Sequence, residues 1–156
     1  MRRPMPVPGE PPRVRYRGRA RAILEQIVRA SCPPDVDELR LTDEIVGYIE
    51  DALSYAPAFM ARALALGLYT LDVLSLADGP RRVPFSRLGI EDARAYVEGA
   101  FHTRNLARSA VIRQVRMLAL LGYYESPTSK ERLGYAPDAW IEKSKAERLR
   151  RHADDL

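Results

Sequence analysis

The residues of this chain that could carry out chemistry are few and widely spaced. Only two histidines occur, His102 and His152, together with one cysteine, Cys32. His152 falls in a charged tail, and His102 ends a helical pattern with no nucleophile or carboxylate evident nearby, so neither is expected to act as a base. Cys32 closes an apolar helical pattern, which favours a buried thiol without a catalytic role. A single cysteine also excludes an intrachain disulfide.

Other polar clusters follow no spacing that catalysis or metal binding requires. Ser126 and Lys130 lie one helical turn apart, but they miss the nucleophile spacing of the penicillin-recognising enzymes by one residue. An N-cap serine and a solvated lysine explain them better. The nine glycines are scattered singly and form no phosphate loop. The acidic residues match no calcium loop and have no companion histidine motif; they are Asp35, Asp37, Glu38, Asp43, Glu44, Glu50 and Asp51. The sequence thus predicts no catalytic, metal-binding or cofactor-binding residues in this chain.

The positive charge of the chain is concentrated at its N-terminus. Residues 1–21 hold seven arginines and one carboxylate, Glu10, for a net charge of +6. The remaining 135 residues hold 18 basic and 20 acidic groups, for a net charge of −2. The basic isoelectric point therefore describes one end of the chain, and a broad nucleic-acid-binding surface is not expected.

Residues 1–17 are rich in proline and arginine, which predicts an extended, mobile basic arm. Its arginines could neutralise phosphates or lipid head groups, although a solubilising or partner-wrapping segment is the simpler interpretation. Arg2 and Arg3 are followed by prolines and not by the apolar run of a twin-arginine signal. A cytoplasmic location is the corresponding expectation.

The rest of the chain has the apolar spacing of helices and no convincing strand alternation. Helices are predicted from Gly18 to the Pro33-Pro34 pair, after a Thr42 N-cap, after Pro57, near 90–101 and roughly over 105–121, with a short turn after Pro127. The expected fold is an all-α bundle of about five helices over residues 18–137. A tail helix follows within residues 138–156, at roughly 139–152. In the fifth helix, four arginines are predicted to lie outside the apolar stripe: Arg104, Arg108, Arg113 and Arg116.

The third helix pattern, residues 58–77, is apolar nearly all round. It contains Arg62 and Asp72, and five of its twenty residues are alanine. Charges at these depths are costly in lipid. A helix that is central in the fold, or covered by a partner, is therefore predicted in preference to a transmembrane segment.

A Leu-Gly-Tyr triplet occurs twice, at residues 121–123 and 133–135. Gly122 and Gly134 each follow an apolar helical run, so both are predicted to end a helix in the left-handed conformation. Ser126-Pro127 fits an N-cap and first-turn pair for the piece between them. Each helix end would then present tyrosine just past its cap.

From residue 85 onward the sequence resembles a known family. The residues that carry the resemblance are Phe85-Ser86-x-Leu88, Glu91-Asp92, Tyr96, Arg113-Gln114-Val115-Arg116-Met117-Leu118, Gly122-Tyr123-Tyr124, Pro127 and Leu133-Gly134-Tyr135-x-Pro137. They resemble the small accessory subunit of membrane-associated, flavin-dependent sugar and polyol dehydrogenases, the gluconate 2-dehydrogenase subunit 3 family. A similar helical segment precedes the flavin domain of long-chain alcohol oxidases in the glucose-methanol-choline (GMC) superfamily. Residues 24–34 agree loosely with the family's first helix.

The resemblance implies a non-catalytic accessory subunit that binds and stabilises a larger FAD-dependent GMC-type subunit acting on sugars or alcohols. FAD and the catalytic groups would belong to that partner, and participation of a cytochrome subunit is left open. Many family members carry a twin-arginine signal, which is not seen here. Aromatic residues anchor interface centres, so we expect the partner to contact Tyr123, Tyr124, Tyr135 and Trp140. For Tyr123 and Tyr124, packing on this chain's own core is the open alternative. The alternative function is a small basic helical module that binds nucleic acid or regulates through the arginine arm.

Overall fold

The structure, a computed structural model, describes residues 13–135 and 137–151. These residues form an all-α fold without strands, which confirms the predicted fold class. Two single-turn 3-10 helices, Pro34–Val36 and Phe85–Arg87, lie in the connections. The α-helices are α1 (Gly18–Ser31), α2 (Thr42–Ser54), α3 (Ala58–Asp78), α4 (Ile90–Gly99), α5 (Leu106–Glu125), α6 (Pro127–Arg132) and α7 (Pro137–Arg151).

Helices α1 and α5 are the centre of the bundle. Helix α1 packs against α2, α3, α4 and α5, and α5 also packs against α2 and α3. The buried face of α1 carries Ile23, Leu24, Ile27 and Val28, all without solvent exposure. Their i, i+3, i+4 spacing places them on one face of the helix, which explains why this segment folds as a buried amphipathic helix.

The segment before α1 packs on the bundle. Residues 13–17 have no regular secondary structure, but Tyr16 is buried and its backbone N–H donates to the Glu50 carboxylate at 2.7 Å. The Tyr16 hydroxyl donates to the Ala61 carbonyl at 2.8 Å. The predicted arm, residues 1–17, therefore extends too far, because Tyr16 belongs to the core. Residues 1–12 lie outside the described part of the chain.

Asp72 is the one carboxylate within the apolar pattern of residues 58–77, and its contacts explain its position. It is fully buried, accepts from Arg19 Nε at 2.5 Å, and accepts from the Ser86 backbone N–H at 2.7 Å. A buried carboxylate is tolerated when it is paired and hydrogen-bonded in this way. Asp72 thereby joins the start of α1 and the Phe85–Arg87 turn to the middle of α3.

The burial of Arg108 contradicts the prediction that the arginines of α5 all lie outside its buried apolar face. It is 8% exposed, with its guanidinium 3.7 Å from the centroid of the Tyr96 ring. Arg108 Nη1 lies 3.5 Å from Asp78, and Nη2 donates to the Tyr96 carbonyl. A planar guanidinium can stack on an aromatic ring while it pairs with a carboxylate, which allows its burial.

The start of α2 also differs from the sequence prediction. Thr42 is the first helical residue instead of the N-cap, and Leu41 flanks the helix without a side-chain cap. Asp43 and Glu44 occupy the first turn, where acidic side chains interact favourably with the helix dipole.

Candidate functional site

The predicted helix end at Gly122 is wrong, because α5 continues to Glu125. Gly122 lies inside the helix and packs against α2. A Cβ atom at this position would be 3.0 Å from Tyr48 Cδ1 and 3.3 Å from Ile45 Cγ2. Glycine allows two helices to approach closely there, and its φ is not in the left-handed region. The consequence is that Tyr123 and Tyr124 lie on the last turn of α5 and not in a loop.

Tyr123 points into the protein. It is 2% exposed, and its hydroxyl donates to both oxygens of Asp35 at 2.9 and 3.0 Å. Burial, reinforced by the hydrogen bond to Asp35, raises the pKa of Tyr123 above its ordinary value. The expectation that Tyr123 contacts a partner directly is therefore corrected: its ring is part of this chain's own core.

Tyr124 points outward and forms one wall of an open groove. It is 51% exposed, and its ring meets the Tyr123 ring edge-on at a centroid distance of 5.2 Å. The groove has a volume of about 570 Å³. We call it the tyrosine groove; its lining residues are Tyr124, Glu125, Lys130, Leu133 and Tyr135.

The tyrosine groove combines exposed apolar surface with an ion pair. Leu133 and Tyr135 are 57% and 60% exposed, and Lys130 Nζ lies 2.8 Å from Glu125. An exposed pair of this kind adds little to stability. Aromatic and aliphatic surface beside charged groups is the composition of a protein interface, where apolar anchors are surrounded by a polar rim.

Gly134 positions Tyr135 at the end of α6. Its φ is +64°, which confirms the predicted left-handed helix end. The Gly134 N–H donates to the Glu131 carbonyl at 3.0 Å, and the Tyr135 N–H donates to the Lys130 carbonyl at 2.8 Å. These two hydrogen bonds are the Schellman pattern. Ser126 and Pro127 open α6 as predicted, although the Ser126 hydroxyl is buried without a hydrogen bond to a described residue.

Trp140 lies on α7 and is 69% exposed. It does not belong to the lining of the tyrosine groove. Of the four aromatic residues predicted from the sequence, two therefore line one groove, one lies on another helix, and one lies in the core.

Helix α3 also exposes a row of apolar side chains, although the sequence indicated no site residues there. The inner face of α3 is buried through Leu64, Leu68 and Leu71, so the helix is packed on one side only. Its outer face exposes six residues at alternating spacings of three and four: Phe59, Arg62, Leu66, Tyr69, Val73 and Leu76. We call this row the α3 seam. The sequence contains this heptad spacing, but alanines and leucines on the other faces of α3 make the whole helix look apolar, so the row does not stand out.

By length and hydropathy alone, α3 satisfies the criteria for a membrane-spanning helix, with a mean hydropathy of 1.4 over its most apolar window. A single helix of this kind is weak evidence for a membrane span, because core helices of soluble proteins meet the same criteria. The expectation that the chain has no transmembrane segment stays a prediction.

The groups that could act as nucleophiles or metal ligands include Cys32 and the two histidines. Cys32 is buried as predicted, and burial raises the pKa of its thiol to about 12. His102 is exposed after α4, whereas His152 lies outside the described residues. Over residues 13–135 and 137–151, no three His, Cys, Asp or Glu side chains are grouped so that they could hold a metal ion.

Comparisons with protein-family models, with curated proteins and with solved structures found no match to this chain.

Proposed function

We propose that this chain is a non-catalytic accessory subunit that binds a larger FAD-dependent GMC-type oxidoreductase and stabilises it. The proposal rests on the sequence resemblance over residues 85–137 and on one structural observation. That observation is the tyrosine groove, in which two of the predicted contact residues, Tyr124 and Tyr135, meet at the end of the bundle. The proposed partner carries the FAD and acts on a sugar or an alcohol.

The groove supports this function through its ordered backbone as well as its exposure. The Tyr124 ring contacts the buried Tyr123 ring, and the backbone at Tyr135 is held by the helix-ending hydrogen bonds around Gly134. Because the backbone that carries both rings is already hydrogen-bonded, covering them costs little backbone entropy. Trp140 is proposed as a further contact, since exposed tryptophan is a frequent anchor of interfaces.

The alternative of nucleic-acid binding is less favoured by the contacts of the arginines. Arg15, Arg19 and Arg21 each form ion pairs with carboxylates of the bundle, including Glu50 and Asp72. A phosphate backbone would have to compete with these carboxylates. Nucleic-acid binding is therefore not proposed as a second function of this chain.

The test is co-expression with a candidate GMC-type flavoprotein from the same genome, followed by purification on a tag on the flavoprotein. The wild-type chain is expected to co-elute, and the double variant Tyr135→Ala/Trp140→Ala is expected to lose most of this binding. Tyr55→Ala is the matched control, because Tyr55 is 78% exposed and lies away from the groove lining. Equal recovery of all three proteins would refute the proposed contact surface, and recovery of none would refute the proposed function.

A further inference from the structure

The α3 seam has the geometry of one half of a two-helix coiled coil. Its residues follow the spacing of alternating a and d positions over three heptads: Phe59, Leu66 and Val73 at a, and Arg62, Tyr69 and Leu76 at d. A helix face with this repeat fits another helix by knobs-into-holes packing. The expected occupant of the seam is therefore an α-helix with the same repeat.

The residues that flank the seam are small and, apart from the buried Asp72, uncharged. Ala63, Thr70 and Ala77 lie on one side, and Ala58, Ala65 and Asp72, which is paired with Arg19, lie on the other. Small flanking residues allow two helix axes to approach closely.

From these features we infer that the α3 seam pairs with the α3 seam of a second copy of this chain, in an antiparallel dimer with two-fold symmetry. In an antiparallel pair each a position faces a d position of the other helix. The pairs are then Phe59 with Leu76, Leu66 with Tyr69, and Arg62 with Val73. A two-fold axis makes every such pair occur twice, so the seam is complementary to itself.

Charge favours the antiparallel arrangement over the parallel one. Arg62 is the only charged residue of the seam, and it has no ion pair to another described residue. A parallel pair would place the two Arg62 side chains opposite each other, whereas the antiparallel pair separates them by about 16 Å along the helix axis. The aliphatic stem of Arg62 can cover Val73 of the second copy while its guanidinium reaches water.

The exposed area agrees with the requirement of a dimer. Phe59, Leu66, Tyr69, Val73 and Leu76 are between 42% and 69% exposed. Together they expose on the order of 600 Å², so two copies would bury about 1,200 Å², the lower limit of a standard-size interface. A patch of this size is at the upper end of what a typical monomer leaves uncovered. The inference does not depend on the proposed function, since the seam and the tyrosine groove share no residue.

The test is the mass of the intact chain in solution, measured by sedimentation equilibrium over a wide concentration range. We expect a dimer in the wild type and a monomer in Leu66→Glu. Leu66 is 69% exposed, so the substitution should leave the helical circular dichroism and the thermal midpoint unchanged. Leu106→Glu is the matched control: Leu106 is 82% exposed on α5, outside the seam, and its variant should remain dimeric.

Disulfide formation tests the orientation of the two helices. Arg62→Cys mixed with Val73→Cys should give a covalent dimer of one chain of each, while each variant alone should give none. Cys32 is buried and should not interfere. A monomeric wild type, a dimeric Leu66→Glu, or a wild type that stays monomeric and floats with anionic vesicles would each overturn the inference. Covalent dimers of Arg62→Cys alone would overturn the antiparallel arrangement.

Discussion

Tyr123 and Asp35 are 88 positions apart in sequence and are joined by hydrogen bonds from one hydroxyl to both carboxylate oxygens. Asp35 also lies 3.1 Å from Arg132 Nε. The last turn of α5, the Pro34–Val36 turn and the end of α6 therefore meet at a single carboxylate. This junction fixes which of the two adjacent tyrosines faces inward and which faces the groove.

Tyr123→Phe is expected to destabilise the fold by about 1–2 kcal/mol, because a hydrogen bond to a charged acceptor is lost while the ring stays packed. The remaining pair with Arg132 keeps Asp35 from being left without a partner. Urea denaturation followed by circular dichroism measures the change. Tyr124→Phe is the control, since Tyr124 is half-exposed and should give a wild-type midpoint. Equal effects of the two variants would contradict this account of the junction.

Asp72→Ala is expected to destabilise the fold strongly, because Asp72 is fully buried. It leaves the Ser86 N–H without its acceptor and separates Arg19 from its carboxylate. The expected loss is on the order of 3 kcal/mol. Denaturation of Asp43→Ala provides the comparison, because Asp43 pairs with Arg21 but is 84% exposed and should contribute little. A small effect at both positions would mean that Asp72 is not needed to hold α1 on α3.

Gly122→Ala should lower stability even though alanine is the better helix former. The added Cβ would be 3.0 Å from Tyr48 Cδ1 and 3.3 Å from Ile45 Cγ2, so α2 and α5 would have to separate slightly. Overpacking of this kind costs roughly 1–3 kcal/mol. Gly47→Ala is the matched control, because nothing lies within 4 Å of a Cβ there and helix propensity alone should stabilise it. Thermal unfolding of the two variants should therefore shift in opposite directions; stabilisation of both would contradict the tight contact.

Stability should fall above about pH 10, in part through Tyr16. Burial, and secondarily the charge of Glu50, raises the pKa of Tyr16 to about 12. Between its ordinary pKa of about 10 and 12, the folded state keeps a proton that the unfolded state has lost, so the free energy of unfolding decreases as pH rises. Below about pH 10 both states hold the proton, and Tyr16 contributes no pH dependence.

Urea midpoints measured from about pH 8 to about pH 11 test this prediction. Tyr16→Phe should be less stable than wild type at neutral pH, because it loses the bond to Ala61, but should show a shallower alkaline decline. Some decline should remain, since burial also raises the pKa of Cys32 and Tyr96. Tyr55→Phe, at an exposed site, should keep the wild-type slope; an unchanged slope in Tyr16→Phe would count against the pKa assignment.

The sequence predicted the helices more accurately than their environments. Apolar spacing and prolines gave the order of the helices, and the glycine at 134 gave a true helix end. Gly122 was misread because a glycine in a helical run signals either a helix end or a close contact, and only the position of Tyr48 distinguishes them. Arg108 and Tyr16 were misplaced for a related reason: their burial depends on Tyr96 and Glu50, which are distant in sequence.

The candidate site was predicted in part. Local signals identified the two helix ends that carry tyrosines, but which tyrosine faces outward depends on Asp35. For α3, the sequence predicts an apolar helix but does not indicate which residues form its exposed face. Composition cannot separate its inner face from its outer face, because Leu64 and Leu66 are the same residue type in opposite environments.

The central claim is that this chain stabilises a larger flavoprotein, and the amount of FAD bound per large subunit tests it most directly. A candidate GMC-type flavoprotein from the same genome would be expressed with and without this chain, and its bound FAD and soluble yield measured after purification. We predict a soluble, flavin-loaded large subunit that co-elutes with this chain, and a sharp loss of both yield and FAD when the chain is omitted. A flavoprotein that is soluble, fully loaded with FAD and fully active without this chain, and that never co-elutes with it, would contradict the claim.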